Sequence, residues 1–121
     1  MDMGAKPIGP YSPTRKIDNL IFCSGQIGID GTGVLVAGGI EAETRQAFTN
    51  LTQILKNSGC TLNDIVKTTV YLTAMTDFPT MNEIYAQFFS EPYPARATIQ
   101  VAALPKGAHI EIEATAMGKM G

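Results

Sequence analysis

The chain has 121 residues, of which 45% are hydrophobic and 17% charged, a composition that supports a packed core and excludes a disordered protein. Nine Lys and Arg against eleven Asp and Glu give a net charge of -2, which excludes a broad basic surface for nucleic acid or an anionic membrane. So few charges on so small a chain favour an oligomer that hides part of the surface. We expect a single domain over residues 1–121.

Cysteine and histidine are scarce, which limits the metal and redox chemistry available. Cys23 and Cys60 lie far apart in the sequence and His109 is the one histidine, so no zinc site is predicted. No signal-peptide core is found, and no apolar run reaches the roughly 18 residues of a membrane span. The sequence therefore predicts a cytoplasmic protein with unbridged cysteines, no metal and no membrane contact.

Prolines and glycines divide the first part of the sequence. Three prolines before residue 14 exclude a helix there, and we expect this segment to lie over the body as an ordered arm. Residues 17–23 predict a strand. An Asp30-Gly31 pair between the apolar runs 27–29 and 34–36 predicts a hairpin.

Two amphipathic helices are predicted on either side of a strand. Residues 41–58 repeat apolar side chains at helical spacing, and Gly59 supplies the left-handed residue that ends many helices. Residues 65–72 are rich in β-branched and aromatic side chains and predict a strand. The second helix is expected to start at Thr76 or Asp77 and to end before the prolines that follow it.

Two further strands, over residues 96–104 and 109–117, complete the order β-β-α-β-α-β-β. This order predicts an α+β fold, a two-layer sandwich with two helices packed on one mixed β-sheet. One helix layer covers one sheet face, so the other face meets solvent or a partner. In the last strand, side-chain alternation places Glu111 and Glu113 together on the face away from the helices.

Few residues could carry chemistry. Glu111 and Glu113 could act as acids and bases, or they could form a solvated or ion-paired sheet edge. Arg96 could clamp a small carboxylate with its planar guanidinium, or it could pair with one of those glutamates. An arginine clamp beside a glutamate that holds a water suits hydrolysis. His109, at the start of a strand, is more typical of an exposed turn residue than of a catalytic base.

Several segments together resemble the RidA (YjgF-type) family of reactive intermediate deaminases. They cover nearly the whole chain in the family's order: Ile8-Gly9-Pro10-Tyr11, Ser24-Gly25-Gln26-Ile27, Val66-Lys67-Thr68-Thr69-Val70, Asn82-Glu83-Ile84-Tyr85, Pro94-Ala95-Arg96, residues 101–106 and Ile110-Glu111-Ile112-Glu113-Ala114. The resemblance implies the chorismate-mutase-like fold, assembled as a homotrimer with clefts between subunits.

The activity that the resemblance implies is hydrolysis of short 2-imino acids (2-iminobutanoate and 2-iminopropanoate) to 2-oxo acids and ammonia, with no cofactor. Arg96 matches the residue that grips the substrate carboxylate, and Glu111 matches the acid that orients or activates water. Four further positions match residues that line the cleft: Tyr11, Ser24, Gly25 and Asn82. Thr98 replaces the cysteine of many bacterial members, and its backbone N–H remains able to contact the carboxylate.

Two other functions remain open at this point. The family is also credited with an endoribonuclease activity that inhibits translation, against which the acidic chain and its single histidine argue. A non-catalytic trimer that binds small carboxylates through Arg96 would use the same residues. Salt dependence of RNA binding distinguishes the first alternative, and turnover of imines distinguishes the second.

Overall fold

A computed structural model of the protein describes Pro7 and residues 9–119. Its helices and strands follow the predicted order: β1 (Thr14–Ile17), β2 (Leu20–Gln26), α1 (Gly39–Asn57), β3 (Ile65–Leu72), α2 (Phe78–Phe88), β4 (Ala95–Gln100) and β5 (Ile110–Met117). Short 3-10 turns precede β3, α2 and β5, at Leu62–Asp64, Met75–Asp77 and Pro105–Gly107. The predicted α+β sandwich is confirmed.

The five strands form one sheet in the order β1-β2-β5-β3-β4. The pairing of β3 with β4 is parallel, because α2 connects them as a crossover, and the other pairings are antiparallel. This order places β5 in the middle of the sheet and β4 at one edge. Glu111 on β5 therefore has a strand on either side, whereas Arg96 on β4 lies at the edge of the sheet.

Both helices pack on one face of the sheet, where the apolar residues of β5 point. Phe48 of α1 is fully buried and stacks on Phe88 of α2 with ring centroids 4.5 Å apart. The buried apolar residues of α1 recur at helical spacing, as predicted: Ala47, Phe48, Leu51, Ile54 and Leu55. The opposite sheet face carries exposed apolar side chains, Phe22, Ile99 and Met117, beside its polar ones.

The first hairpin lies elsewhere than the sequence predicted. β1 and β2 pair through Ile17 and Leu20, and Asp18 takes a left-handed conformation (φ 51) in the turn between them. The expected hairpin around Asp30 is reduced to a single bridge, Ile29 to Leu35. The Asp30 carboxylate accepts backbone N–H groups inside its own turn instead, which favours a compact loop over a ladder.

The other boundaries differ by less. Gly59 has φ 78 directly after the C-cap of α1, as predicted, and its N–H donates to the carbonyl of Lys56. Asp77 occupies the N-cap position of α2 but forms no side-chain cap hydrogen bond. β4 ends at Gln100 and not at residue 104, because β3, its partner, ends at Leu72.

Candidate active site

Glu111 lies on the open face of the sheet, against a glycine of the neighbouring strand. The register of β2 on β5 shifts between Cys23 and Gln26, and Gly25 lies in this irregular stretch. A Cβ added to Gly25 would lie 2.7 Å from Cδ of Glu111 and would overlap the carboxylate. Glycine is therefore required for the Glu111 carboxyl to keep its place.

Ser24 joins the N-terminal arm to the same stretch. Its Oγ donates to the carbonyl of Ser12 at 2.6 Å, and its N–H donates to the carbonyl of Pro13 at 2.9 Å. Tyr11 directly precedes this anchored pair and has an exposed side chain. We give one name, the acid half-site, to four of the predicted site residues: Tyr11, Ser24, Gly25 and Glu111.

Burial and a neighbouring carboxylate change the acidity of Glu111. Burial raises the pKa of Glu111 above its usual value, and the charge of Glu113 raises it further. Glu113 itself accepts a hydrogen bond of 2.6 Å from the hydroxyl of Tyr71. That bond, together with burial, raises the pKa of Tyr71 to about 12, so the phenol stays protonated at neutral pH. The two glutamates share a face, as predicted, but have different partners.

Arg96, on the edge strand β4, lies over two aromatic rings. Its Cζ is 4.6 Å from the ring centroid of Tyr85 and 5.6 Å from that of Phe78. The Tyr85 hydroxyl shares a hydrogen bond of 2.7 Å with Oγ1 of Thr68, which fixes the orientation of the ring. Cation–π contacts hold the guanidinium by its face and leave its N–H donors free for an anion. Within the described residues, Arg96 forms no ion pair.

An open pocket of about 460 Å³ lies beside this guanidinium. Asn82 on α2 and Arg96 supply its polar groups, and the exposed ring of Tyr93 forms part of its wall. Thr98 lies two residues beyond Arg96 on the same strand face, and its buried Oγ1 has no hydrogen-bond partner among the described residues. We call this group the arginine half-site: Asn82, Tyr93, Arg96 and Thr98.

The two half-sites lie on opposite faces of the sheet. Arg96 pairs in register with Thr68, which is completely buried beneath the helices, so its side chain points to the helix face. Glu111 pairs with Tyr71, on the open face. The interpretation of Arg96 as a partner of Glu111 or Glu113 is therefore wrong within one chain. The same geometry prevents one chain from bringing arginine and glutamate to a single substrate.

A buried carboxylate that sequence reasoning missed lies on α1. Glu43 is 1% exposed, and its two oxygens accept the backbone N–H of His109 at 2.7 Å and face the ring Nδ1 at 2.5 Å. The hydrogen bond to Glu43, then its charge, raise the pKa of His109. His109 is exposed, as predicted, but it is paired. The sequence did contain a signal for this burial, because Glu43 lies on the apolar stripe of α1, four residues before Ala47.

Within the described part of the chain, no group of three or more His, Cys, Asp or Glu side chains could hold a metal ion. Neither helix of that part is long and apolar enough to cross a membrane. Cys23 and Cys60 are both free and buried, and burial raises the pKa of the Cys23 thiol to about 12.

The fold defines a class: an α+β sandwich of two helices on a five-stranded mixed sheet. Within that class, the chain belongs to the RidA (YjgF-type) family, since the family model described as endoribonuclease L-PSP matches residues 3–118. The resemblance inferred from the sequence motifs is thus confirmed.

Three relatives show how close the similarity is. The human protein 2-iminobutanoate/2-iminopropanoate deaminase is 54% identical over 111 residues, which are 91% of this chain and 81% of that protein. The structure of RidA from an Antarctic Psychrobacter is 43% identical with a TM-score of 0.93, over 97% of this chain and 95% of that chain. Escherichia coli TdcF, solved with bound serine, is 38% identical with a TM-score of 0.91, over 97% and 94%.

Proposed function

We propose that the protein hydrolyses short 2-imino acids, 2-iminobutanoate and 2-iminopropanoate, to 2-oxo acids and ammonia. The observation that carries this proposal is the Arg96 guanidinium, held on aromatic faces beside an open pocket without an ion pair in the described chain. A planar carboxylate is the ligand that this fork fits best. The name of the human relative, 54% identical, gives the same substrates.

The chemistry follows from the two groups. Arg96 would bind the substrate carboxylate through two N–H donors and so fix the plane of the adjacent imine carbon. Glu111, with its raised pKa, would take a proton from water as the oxygen attacks that carbon, while the imine nitrogen takes a proton from solvent. The proton held by Glu111 would then pass to the amine of the resulting carbinolamine, which leaves as ammonia, while solvent takes the hydroxyl proton. The sum is imine plus water to ketone plus ammonia, with no oxidant or metal in the balance.

The complete site in this proposal lies between two copies of the chain. Because Arg96 and Glu111 point to opposite sheet faces, the arginine half-site of one chain must meet the acid half-site of a neighbour. The exposed apolar side chains of the open face suit burial against that neighbour. A heterologous contact closes into a ring when the rotation between neighbours completes a full turn, and we propose the ring of three that the family resemblance implies.

Mixing two inactive variants tests this arrangement. Arg96→Ala and Glu111→Gln chains, refolded together in equal amounts, should regain about a quarter of the wild-type rate, because an intact cleft needs one chain of each kind in the right order. Each variant refolded alone is the control and should stay nearly inactive. Mixed trimers without imine hydrolysis would refute a shared site, and sedimentation showing an active monomer would refute the assembly.

The competing functions predict different measurements. An endoribonuclease should bind RNA with a steep salt dependence, since each neutralised phosphate adds nearly one unit to the log–log slope. A carboxylate-binding trimer should bind 2-oxo acids without accelerating the loss of imine. For the cellular location we propose the cytoplasm, which suits two buried free thiols, and cell fractionation tests it.

A further inference from the structure

The buried carboxylate of Glu43 holds the start of β5. One oxygen accepts the backbone N–H of His109, the residue directly before β5, and the other faces the imidazole Nδ1 of the same residue. At 1% exposure the Glu43 carboxylate has lost its water and depends on these two bonds. The position of residue 109 is therefore tied to α1 more firmly than by strand pairing alone.

The same helix also holds the segment that follows β2. A Cβ added to Gly28 would lie 2.6 Å from Cα of Glu43, so the two backbones are in direct contact at this point. About two turns further along the same face of α1, Asn50 is 4% exposed and donates to the carbonyls of Ile27 at 3.1 Å and Ile29 at 2.8 Å. Buried polar groups of α1 thus fix the segments on both sides of the acid half-site.

These two segments carry Gly25 and Glu111. Gly25 precedes the Gly28 contact by three residues, and Glu111 follows His109 by two. Since the carboxyl of Glu111 lies where a Cβ of Gly25 would be, a small shift of either segment changes the space and the hydration of that carboxyl. The contact that positions the acid is therefore sensitive to what happens at Glu43.

We propose that Glu43 is a positioning residue for Glu111: its hydrogen bonds to His109 set the start of β5 relative to β2 and thereby hold the Glu111 carboxyl against Gly25. The inference rests on the proposed role of Glu111 in imine hydrolysis. The backbone N–H bond carries the effect, because it fixes the main chain. The imidazole bond adds to it at any pH, since a neutral ring can still donate from Nδ1.

Four variants separate positioning from folding. Glu43→Gln keeps an acceptor for the His109 N–H and should hold kcat within about threefold. Glu43→Ala and the space-filling Glu43→Met remove the acceptor and should lower kcat about tenfold or more, with KM nearly unchanged because Arg96 lies in the other half-site. Leu55→Ala, in the buried face of the same helix, is the control: it should lower stability but not the kcat of the folded protein.

A second readout does not depend on activity. The pKa of Glu111, measured from its side-chain carbon by NMR, should fall toward the usual value in Glu43→Ala, because the released carboxyl gains water. The groups that face Glu111 are Glu113 on β5 and the protonated phenol of Tyr71 on β3, and neither is changed in these variants.

Each outcome decides one question. A titration of Glu111 that stays unchanged in Glu43→Ala and Glu43→Met would overturn the inference, and so would an equal loss of kcat in Leu55→Ala. Failure of both Glu43→Ala and Glu43→Met to fold would assign Glu43 to folding alone and would also overturn it. If the wild-type protein hydrolyses no imine, the proposed function fails, while the titration still tests the positioning.

Discussion

Different interactions hold the arginine half-site and the acid half-site in place. Arg96 lies on an edge strand and is held by the faces of Tyr85 and Phe78, so its hydrogen-bond donors are left for a ligand. Glu111 lies on the central strand, crowded by the backbone of Gly25 and by the charge of Glu113. On the proposed function the first half-site would bind an anion, whereas in the second the raised pKa of Glu111 means that its carboxyl holds its proton more tightly.

This difference explains why the two groups need not be near each other in one chain. A guanidinium close to Glu111 would lower the pKa of the carboxyl and oppose the effect of burial and of Glu113. A carboxylate close to Arg96 would occupy the fork that the substrate requires. Within one chain, their separation on opposite faces keeps the two groups apart, and on the proposed arrangement a second chain and a substrate would bring them together.

Among the effects that we predict, substitution of Arg96 should give the largest loss of activity. Arg96→Ala should lower kcat/KM about a hundredfold or more, because two charge-assisted hydrogen bonds of roughly 1.5–3 kcal/mol each are lost. Arg96→Lys keeps the charge but not the planar fork of donors, so its kcat/KM should lie between those of wild type and Arg96→Ala. The assay follows loss of the imine formed by a dehydratase acting on threonine. Near wild-type hydrolysis by a well-folded Arg96→Ala trimer would end the clamp proposal.

A methyl group on Gly25 tests the acid half-site without touching a charge. Gly25→Ala should lower kcat about tenfold to a hundredfold at nearly constant KM, since the added Cβ displaces the flexible carboxyl of Glu111. Gly31→Ala is the matched control, because nothing lies within 4 Å of a Cβ added there. Equal activity of the two variants in the same assay would contradict the assigned place of Glu111.

Glu113→Gln should have a smaller and more specific effect. Removing the Glu113 charge takes away the second cause of the raised pKa of Glu111, so the limb of the pH–rate profile that belongs to Glu111 should move to lower pH. The amide oxygen can still accept the Tyr71 hydroxyl, so kcat at neutral pH should stay within about threefold. An unmoved limb, measured in parallel with wild type, would show that the two carboxyls titrate independently.

The smallest expected effect is on stability. Since Glu43 raises the pKa of His109 above the usual 6.5, the positive charge of the ring contributes stability that is fully present below 6.5 and is lost as the pH rises through the raised pKa, while the hydrogen bond of the neutral ring remains. Wild-type Tm should therefore fall more steeply than that of Glu43→Gln as the pH rises from about 6 to 8. Parallel curves for the two proteins would show that the pairing contributes no pH-dependent stability.

The elements that the sequence predicted best were those with long periodic patterns. The stripe of α1 and the alternation of β5 each leave one arrangement that buries the apolar residues, so the shared face of Glu111 and Glu113 followed directly. The first hairpin was misplaced because Asp30-Gly31 is the stronger local signal, whereas the turn at Asp18 depends on the pairing of its strands.

The face on which Arg96 lies could not be read from β4. The apolar residues Ala97 and Ile99 point to the open face, and Arg96 and Thr98 point to the helices, which is the reverse of a free-standing sheet edge. Such an inversion is determined by what covers each face, and local sequence does not contain that information. The motif resemblance identified the residues, and only the register showed that they are separated.

The placement of Arg96 and Glu111 on opposite faces also has a consequence for dosage. On the proposed arrangement, each chain carries both reactive groups and yet has no catalytic centre until it meets another copy. Output near the assembly threshold would then fall more steeply than the amount of protein, so halving expression would remove more than half of the capacity to clear imines. A cell relying on this protein would have to keep its concentration well above that threshold, even when little substrate is formed.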